Sequence, residues 1–207
     1  MQTQEPIVYQ GQFGEFSIDD HDRQSVILYR SGLAIAALSF AIATVLAFSQ
    51  RYVWITPLYF VFWTALGVSL FTIHIYLKPL HLALQAFWAI GGIASISLLF
   101  LSSDPLALYV YQHPIAIFGI GFTFAALTGI FFKEAFCFNR FETKFLTAIV
   151  PLLLLGHLSG WLPLEWEQGL LEAWTTLFTI FAIRKLIQPI PPDIGDKSVF
   201  EYLKQAQ

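Results

Sequence analysis

Over most of this chain the apolar residues neither alternate with polar ones nor recur on one helical face; they run on without interruption. Six such runs lie at about 31–49, 53–77, 80–101, 113–132, 145–162 and 168–187. At 1.5 Å of rise per residue each is long enough, or nearly so, to cross a hydrocarbon core of about 30 Å. A membrane β-barrel would need polar lumen-facing residues at every second position, and these runs show no such alternation. The pattern therefore predicts an all-α, polytopic membrane bundle of six transmembrane helices. Pro57, Pro79, Pro114 and Pro163 fall at or near run ends, where a missing N–H costs little. Pro151 falls inside the fifth run and predicts a kink.

The polar stretches predict the rest. Residues 1–16 have no helical period and read as loop. Ser17-Ile18-Asp19-Asp20 reads as a helix start, with Ser17 as the cap. Gln188-Pro-Ile-Pro-Pro reads as non-helical. Asp196 then caps a short last helix on which Val199, Phe200 and Leu203 share a docking face. The organisation is a cytoplasmic segment over 1–30, a six-helix membrane domain over 31–187 and a Pro-rich tail over 188–207.

Charge adds orientation. Only 12% of the 207 residues are charged, and 57% are hydrophobic. With six spans, Arg23, Arg30, Lys78, Lys133, Arg140, Lys144, Arg184, Lys185, Lys197 and Lys204 share one side, and Arg51 is alone on the other. Basic residues accumulate on the cytoplasmic side, so both termini are expected there. Tyr52, Trp54, Tyr109, Tyr111, Trp161 and Trp166 on the opposite side suit an interfacial belt.

Two polar groups are candidate chemistry, because ionisable residues are expensive in a membrane. His157 and Glu172 lie at similar depth near the ends of consecutive runs, which predicts a His–Glu contact. It would serve as a proton site, a ligand or a helix lock. On the cytoplasmic side, His74, Lys78 and His81 fall near Lys133, Glu134, Cys137, Arg140, Glu142 and Lys144. That set reads first as an ion-pair or interaction network. Its spacing matches no metal motif, and the single cysteine excludes an internal disulfide. Nucleophile elbows, glycine-rich phosphate loops and nucleic-acid modules are all missing, so the reading leans away from an enzyme and excludes nucleic acid as partner.

The stretches GQFGEFSIDDHDRQSVILYRSG, LFTIHIYLKPLH, LTGIFFKEAFCFNRFETK, LLLLGHL and QPIPPDIGDKSVFEYL together resemble an uncharacterised family of integral membrane proteins of cyanobacteria and chloroplasts. The resemblance implies a cyanobacterial thylakoid or plasma membrane. The resemblance supplies no activity; taken with the ordered inner ends and the missing catalytic motifs, it leads to the expectation of a lipid-embedded, non-enzymatic protein that assembles or stabilises a photosynthetic complex through a membrane-protein partner. In a variant of that expectation, His74, His81 or His157 holds a chlorophyll or haem. The alternative is a small proton- or ion-coupled transporter or channel using His157 and Glu172.

Overall fold

The structure is a computed structural model that describes residues 8–205, with the side chains of 200, 201, 204 and 205 outside the description. A short hairpin comes first, β1 (Val8–Gln10) against β2 (Glu15–Ser17), antiparallel with Tyr9 opposite Phe16. The helices are α1 (Asp20–Phe48), α2 (Ile55–Thr72), α3 (Lys78–Leu101), α4 (Leu106–Gln112), α5 (Ile117–Phe138), α6 (Phe141–Leu158), α7 (Leu164–Ile187), α8 (Pro191–Ile194) and α9 (Lys197–Gln205).

The long helices run alternately up and down and close into a ring. In order around the ring they are α1, α2, α3, α5, α6 and α7, with α7 returning to α1. One end of the ring carries the hairpin, α8 and α9 and is called here the terminal end. The other carries α4 and the connections around residues 50 and 160, and is called the loop end.

Five helices are long and apolar enough to cross a membrane: α1, α2, α3, α5 and α6, the second and fourth with their leading 3-10 turns. The chain is an all-α membrane bundle. α7 has comparable length and buries Trp174, Phe178 and Phe181 between α1 and α6. Its lower hydropathy comes from Glu165, Glu167 and Glu172 near one end and Arg184 and Lys185 near the other.

Several local expectations change. Residues 8–17 form a hairpin where loop was expected; strands of three residues are too short for an alternating pattern to show. Asp19, not Ser17, caps α1, in a reciprocal box with Asp22. Pro191 and Pro192 begin a short helix instead of preventing one, because proline is tolerated in a first helical turn. α5 runs on to Phe138 and ends on left-handed Asn139. α6 stays helical through Pro151.

Packing is closest where glycines meet larger groups. Trp63 and Trp88 stack at 4.4 Å, and each indole N–H donates to the other's backbone carbonyl, at 3.0 and 2.8 Å. Gly67 and Gly92 leave room for these rings. A Cβ at Gly67 would lie 2.5 Å from Trp88, and one at Gly92 would lie 2.3 Å from Trp63.

Candidate functional site: a loop-end cavity above a buried ion-pair cluster

The turn between α6 and α7 positions the loop-end pair. His157 lies in the last turn of α6, where a cation suits the helix dipole, and Glu167 lies in the first turn of α7, where an anion does. Gly160, at φ +63°, turns the chain between them. The His157 Nδ1 stands 2.7 Å from Glu167 Oε1, and Nε2 stands 3.1 Å from the Tyr111 carbonyl. The Tyr111 ring stacks on the imidazole at 4.9 Å.

Glu172 does not meet His157. It lies exposed on the outer face of α7, with no hydrogen bond or ion pair among the described residues. Glu172 is separated from the pair in depth as well as in direction: five residues beyond Glu167, it lies about 7.5 Å further along α7. Five residues from Glu167 to Glu172 turn the side chain by about 140° at 100° per residue.

His157 and Glu167 border a cavity of about 590 Å³ inside the ring. All the long helices except α3 contribute to its wall, and α4 forms part of its mouth. Its aromatic lining includes Phe40, Tyr59, Phe62 and Phe124. Its polar lining includes Thr56, Gln168 and the His157–Glu167 pair. The size falls within the range of small-molecule sites, as does an apolar wall carrying a few polar groups.

Below the cavity an aromatic layer fills the ring. Phe40 meets Trp174 at 4.5 Å, Phe124 meets Trp174 at 5.3 Å, and Phe131 meets Phe178 at 5.3 Å. Trp174 is 2% exposed, and its indole N–H has no acceptor among the described residues. Leaving such a donor unsatisfied costs about 1–3 kcal/mol.

Below the aromatic layer, at the terminal end, lies a buried charge cluster. The Lys185 ammonium donates to Glu134 Oε2 at 2.5 Å and to Asp193 Oδ1. Glu134 Oε1 also accepts from Tyr29 Oη at 2.9 Å and from Lys133 at 3.0 Å. Arg30 Nε donates to Asp193 Oδ2 at 2.8 Å, while its two terminal nitrogens donate to the Gln188 and Pro189 carbonyls. Those carbonyls end α7 without helical partners, so the guanidinium caps that helix and pins the tail together.

Two further arginines flank this cluster. Arg140 reaches the Gln188 side chain at 2.5 Å, and Arg184 reaches Glu142 at 2.9 Å. Of the expected cytoplasmic set, Lys133, Glu134, Arg140 and Glu142 are thus brought into one network. Lys78, Cys137 and Lys144 are exposed outside it.

The histidines have other engagements. His81 Nε2 approaches the Leu70 carbonyl at 2.5 Å and Gln85 at 3.1 Å, which ties α3 to the end of α2. His74 is partly buried near Asp22, Lys133, Asp193 and Lys197. Burial lowers its pKa from the ordinary histidine value, Asp22 raises it, and Lys133 lowers it further. Among the described residues, Asp19, His21 and Asp22 form the three-residue group close enough to hold a metal ion, and His74, His81 and Cys137 are not in it. Asp22 there is already paired with Lys197 at 2.7 Å. Both ring nitrogens of His157 are engaged, so its donor set does not suit an axial pigment ligand.

The tail is held from several sides. Asp196 accepts from the Ser198 amide at 2.9 Å, as a cap for α9, and from the Gln12 amide of the hairpin at 2.6 Å. Phe13 stacks on Tyr202 at 4.1 Å. Val199 is half-buried and Leu203 exposed, while the Phe200 side chain lies outside the described residues.

Sequence reasoning missed Tyr29, Arg30, Lys185, Gln188 and Asp193 as one cluster, and Glu167 as the partner of His157. The available signal for Glu167 was its place in the first turn after Pro163. For Asp193 no local signal exists, because its partners are 163 residues and 8 residues away in the chain.

No solved structure matches the chain. A protein of Haemophilus influenzae described as an uncharacterised protein is 31% identical over 194 residues, covering 89% of this chain and 94% of the relative. Relatives therefore occur outside cyanobacteria and chloroplasts. The family model described as "Uncharacterized integral membrane protein (DUF2301)" matches residues 68–202, which hold α3 to α8 and most of α9. The chain belongs to this family of integral membrane proteins.

Proposed function

We propose that this protein is a small membrane carrier, drawn with its cavity open at the loop end and closed at the terminal end. In this reading α7 is a sixth span, and the terminal end, with its excess of basic residues, faces the cytoplasm. One observation carries the proposal. A cavity of about 590 Å³ is separated from the opposite face by an aromatic layer and then by the Arg30–Asp193–Lys185–Glu134 cluster.

A buried ionic cluster is a poor way to gain stability, because desolvation offsets most of the attraction. Its best-attested use is to hold one arrangement against another. Here the cluster joins α1, α5, α7 and the tail, the elements that would separate if the terminal end opened. The unsatisfied Trp174 donor lies in the layer that would have to rearrange.

The test is access from the terminal side. A cysteine replacing Ala43, which lines the cavity, is treated with a membrane-impermeant thiol reagent in inverted vesicles of a Cys137→Ser background. Combining it with Glu134→Gln and Asp193→Asn is expected to admit the reagent. If the folded variant still excludes it, the cavity is a binding site without a second opening, and the carrier reading falls.

A second reading has its own observation. The hairpin and α9 leave Val8, Phe13, Tyr202 and Leu203 exposed on one platform at the terminal end. That surface suits a protein partner, as an assembly factor for a membrane complex would require. Co-purification from native membranes that is lost on deleting residues 197–207 would favour it.

A further inference from the structure

The charge of the cavity narrows what it would take. Among the described residues no lysine or arginine lines it; apart from tyrosine phenols, its ionisable lining groups there are His157 and Glu167. Together these two carry a net charge of zero or minus one, depending on the imidazole proton. An anion entering the cavity would meet the Glu167 carboxylate with only His157 to offset it, and both nitrogens of that ring are already engaged.

The carboxylate, by contrast, has capacity left. Glu167 Oε1 is held by His157, whereas Oε2 takes no hydrogen bond among the described residues. A cation can approach Oε2 without breaking the pair. The rings add to this preference. Phe40, Tyr59, Phe62 and Phe124 line the wall, and aromatic faces attract cations through their quadrupoles. The Tyr59 hydroxyl is taken up by Ser95 at 2.6 Å and Thr123 at 3.1 Å, so its ring is what it offers the cavity.

From this lining we infer that the cavity takes an organic cation: an amine, protonated or quaternary, carrying apolar or aromatic groups. The inference rests on the carrier reading insofar as that reading takes the cavity as a binding site, and it adds the ligand class. Glu167 supplies the counter-charge, the aromatic wall holds the apolar part, and Gln168 and Thr56 supply polar contacts at the mouth.

The test uses two probes of nearly one shape and opposite charge, tetraphenylphosphonium and tetraphenylborate. Each is titrated onto the full chain in nanodiscs, with the cavity-filling variant Ala43→Trp as the reference for partition into lipid. The phosphonium is expected to bind saturably, at least about tenfold more tightly than the borate, and to lose its site in Ala43→Trp. Glu167→Gln is expected to remove the preference between the two ions. Gln168→Lys, which leaves the His157–Glu167 pair intact, is expected to weaken the phosphonium alone.

Equal affinities for the two ions, both abolished by Ala43→Trp, would overturn the cation inference and leave the cavity as a binding site. So would a phosphonium preference unchanged in both charge variants. If neither ion bound in a way that Ala43→Trp removes, the cavity would not be a site for ligands of this size, and the carrier reading would fall with the inference.

Discussion

The Lys185 ammonium lies 2.5 Å from Glu134 Oε2, and neither side chain has any exposed surface. The two are 51 residues apart, on α7 and α5, so the contact closes the terminal end of the ring across its middle. Lys185→Met would leave Glu134 and Asp193 with one cation fewer in a buried site. The expected loss of stability is about 3 kcal/mol, and adding Glu134→Gln should return much of it because the uncompensated charge is then gone. Thermal unfolding of the three variants in one detergent measures this. A Lys185→Met variant as stable as the parent would mean the cluster is solvated.

The tryptophan clasp between α2 and α3 gives a second prediction. Gly67→Ala places a methyl group 2.5 Å from the Trp88 ring, which must then leave its stack on Trp63. A destabilisation of about 1–3 kcal/mol is expected, as for other overpacked sites, together with a shift in tryptophan emission. Gly169→Ala has open space around its Cβ and serves as the control within the same bundle.

A third prediction concerns pH. Burial lowers the pKa of His74 in the folded protein, the Asp22 carboxylate works against that shift, and Lys133 works with it; Asp193 raises it and Lys197 lowers it to lesser degrees. The unfolded chain therefore binds more protons at this position once the pH drops below the ordinary histidine value of about 6.5. Stability from this group is complete above that value and is lost as pH falls toward the lowered native one. His74→Gln should flatten the stability–pH profile below about pH 6.5, while leaving the profile at pH 8 in place. An unchanged slope would remove His74 from the account.

Filling the cavity gives a fourth prediction, about the fold itself. Ala43→Trp adds an aromatic ring to a space of about 590 Å³ and should not destabilise the bundle by more than about 1 kcal/mol. Ala36→Trp, at a fully buried position on the same helix, should cost more than about 3 kcal/mol or prevent folding. Equal effects at the two positions in thermal unfolding would mean that no such space exists.

What could be read in advance followed the length scale of the signal. Apolar runs of helix-spanning length state the membrane and the helices, and the lysines and arginines arrange the ends. The pairing of His157 failed in depth and in rotation: the apolar runs do not mark where α6 ends and α7 begins, so Glu172 falls five residues too deep, and facing also requires the rotation of α7, which the buried Trp174, Phe178 and Phe181 set. Lys185 was visible as a cation and was counted among those in water, because the positive-inside pattern cannot distinguish a solvated lysine from one sealed against Glu134. Asp193 follows two prolines and looks like a loop acid until the tail folds back under α1. The cavity itself has no sequence signature, since its wall of Phe40, Tyr59 and Phe124 uses the same residue types as the packed layer beneath.

The most direct measurement is the sidedness of access to position 43. In a Cys137→Ser background, Ala43→Cys is exposed to a small impermeant methanethiosulfonate reagent in intact cells and in inverted vesicles. The account expects modification from the outside of intact cells, where the proposed orientation puts the loop end, and protection in inverted vesicles while the Lys185–Glu134–Asp193 cluster is intact. Modification from the cytoplasmic side alone, or from neither side until the protein is denatured, would contradict it.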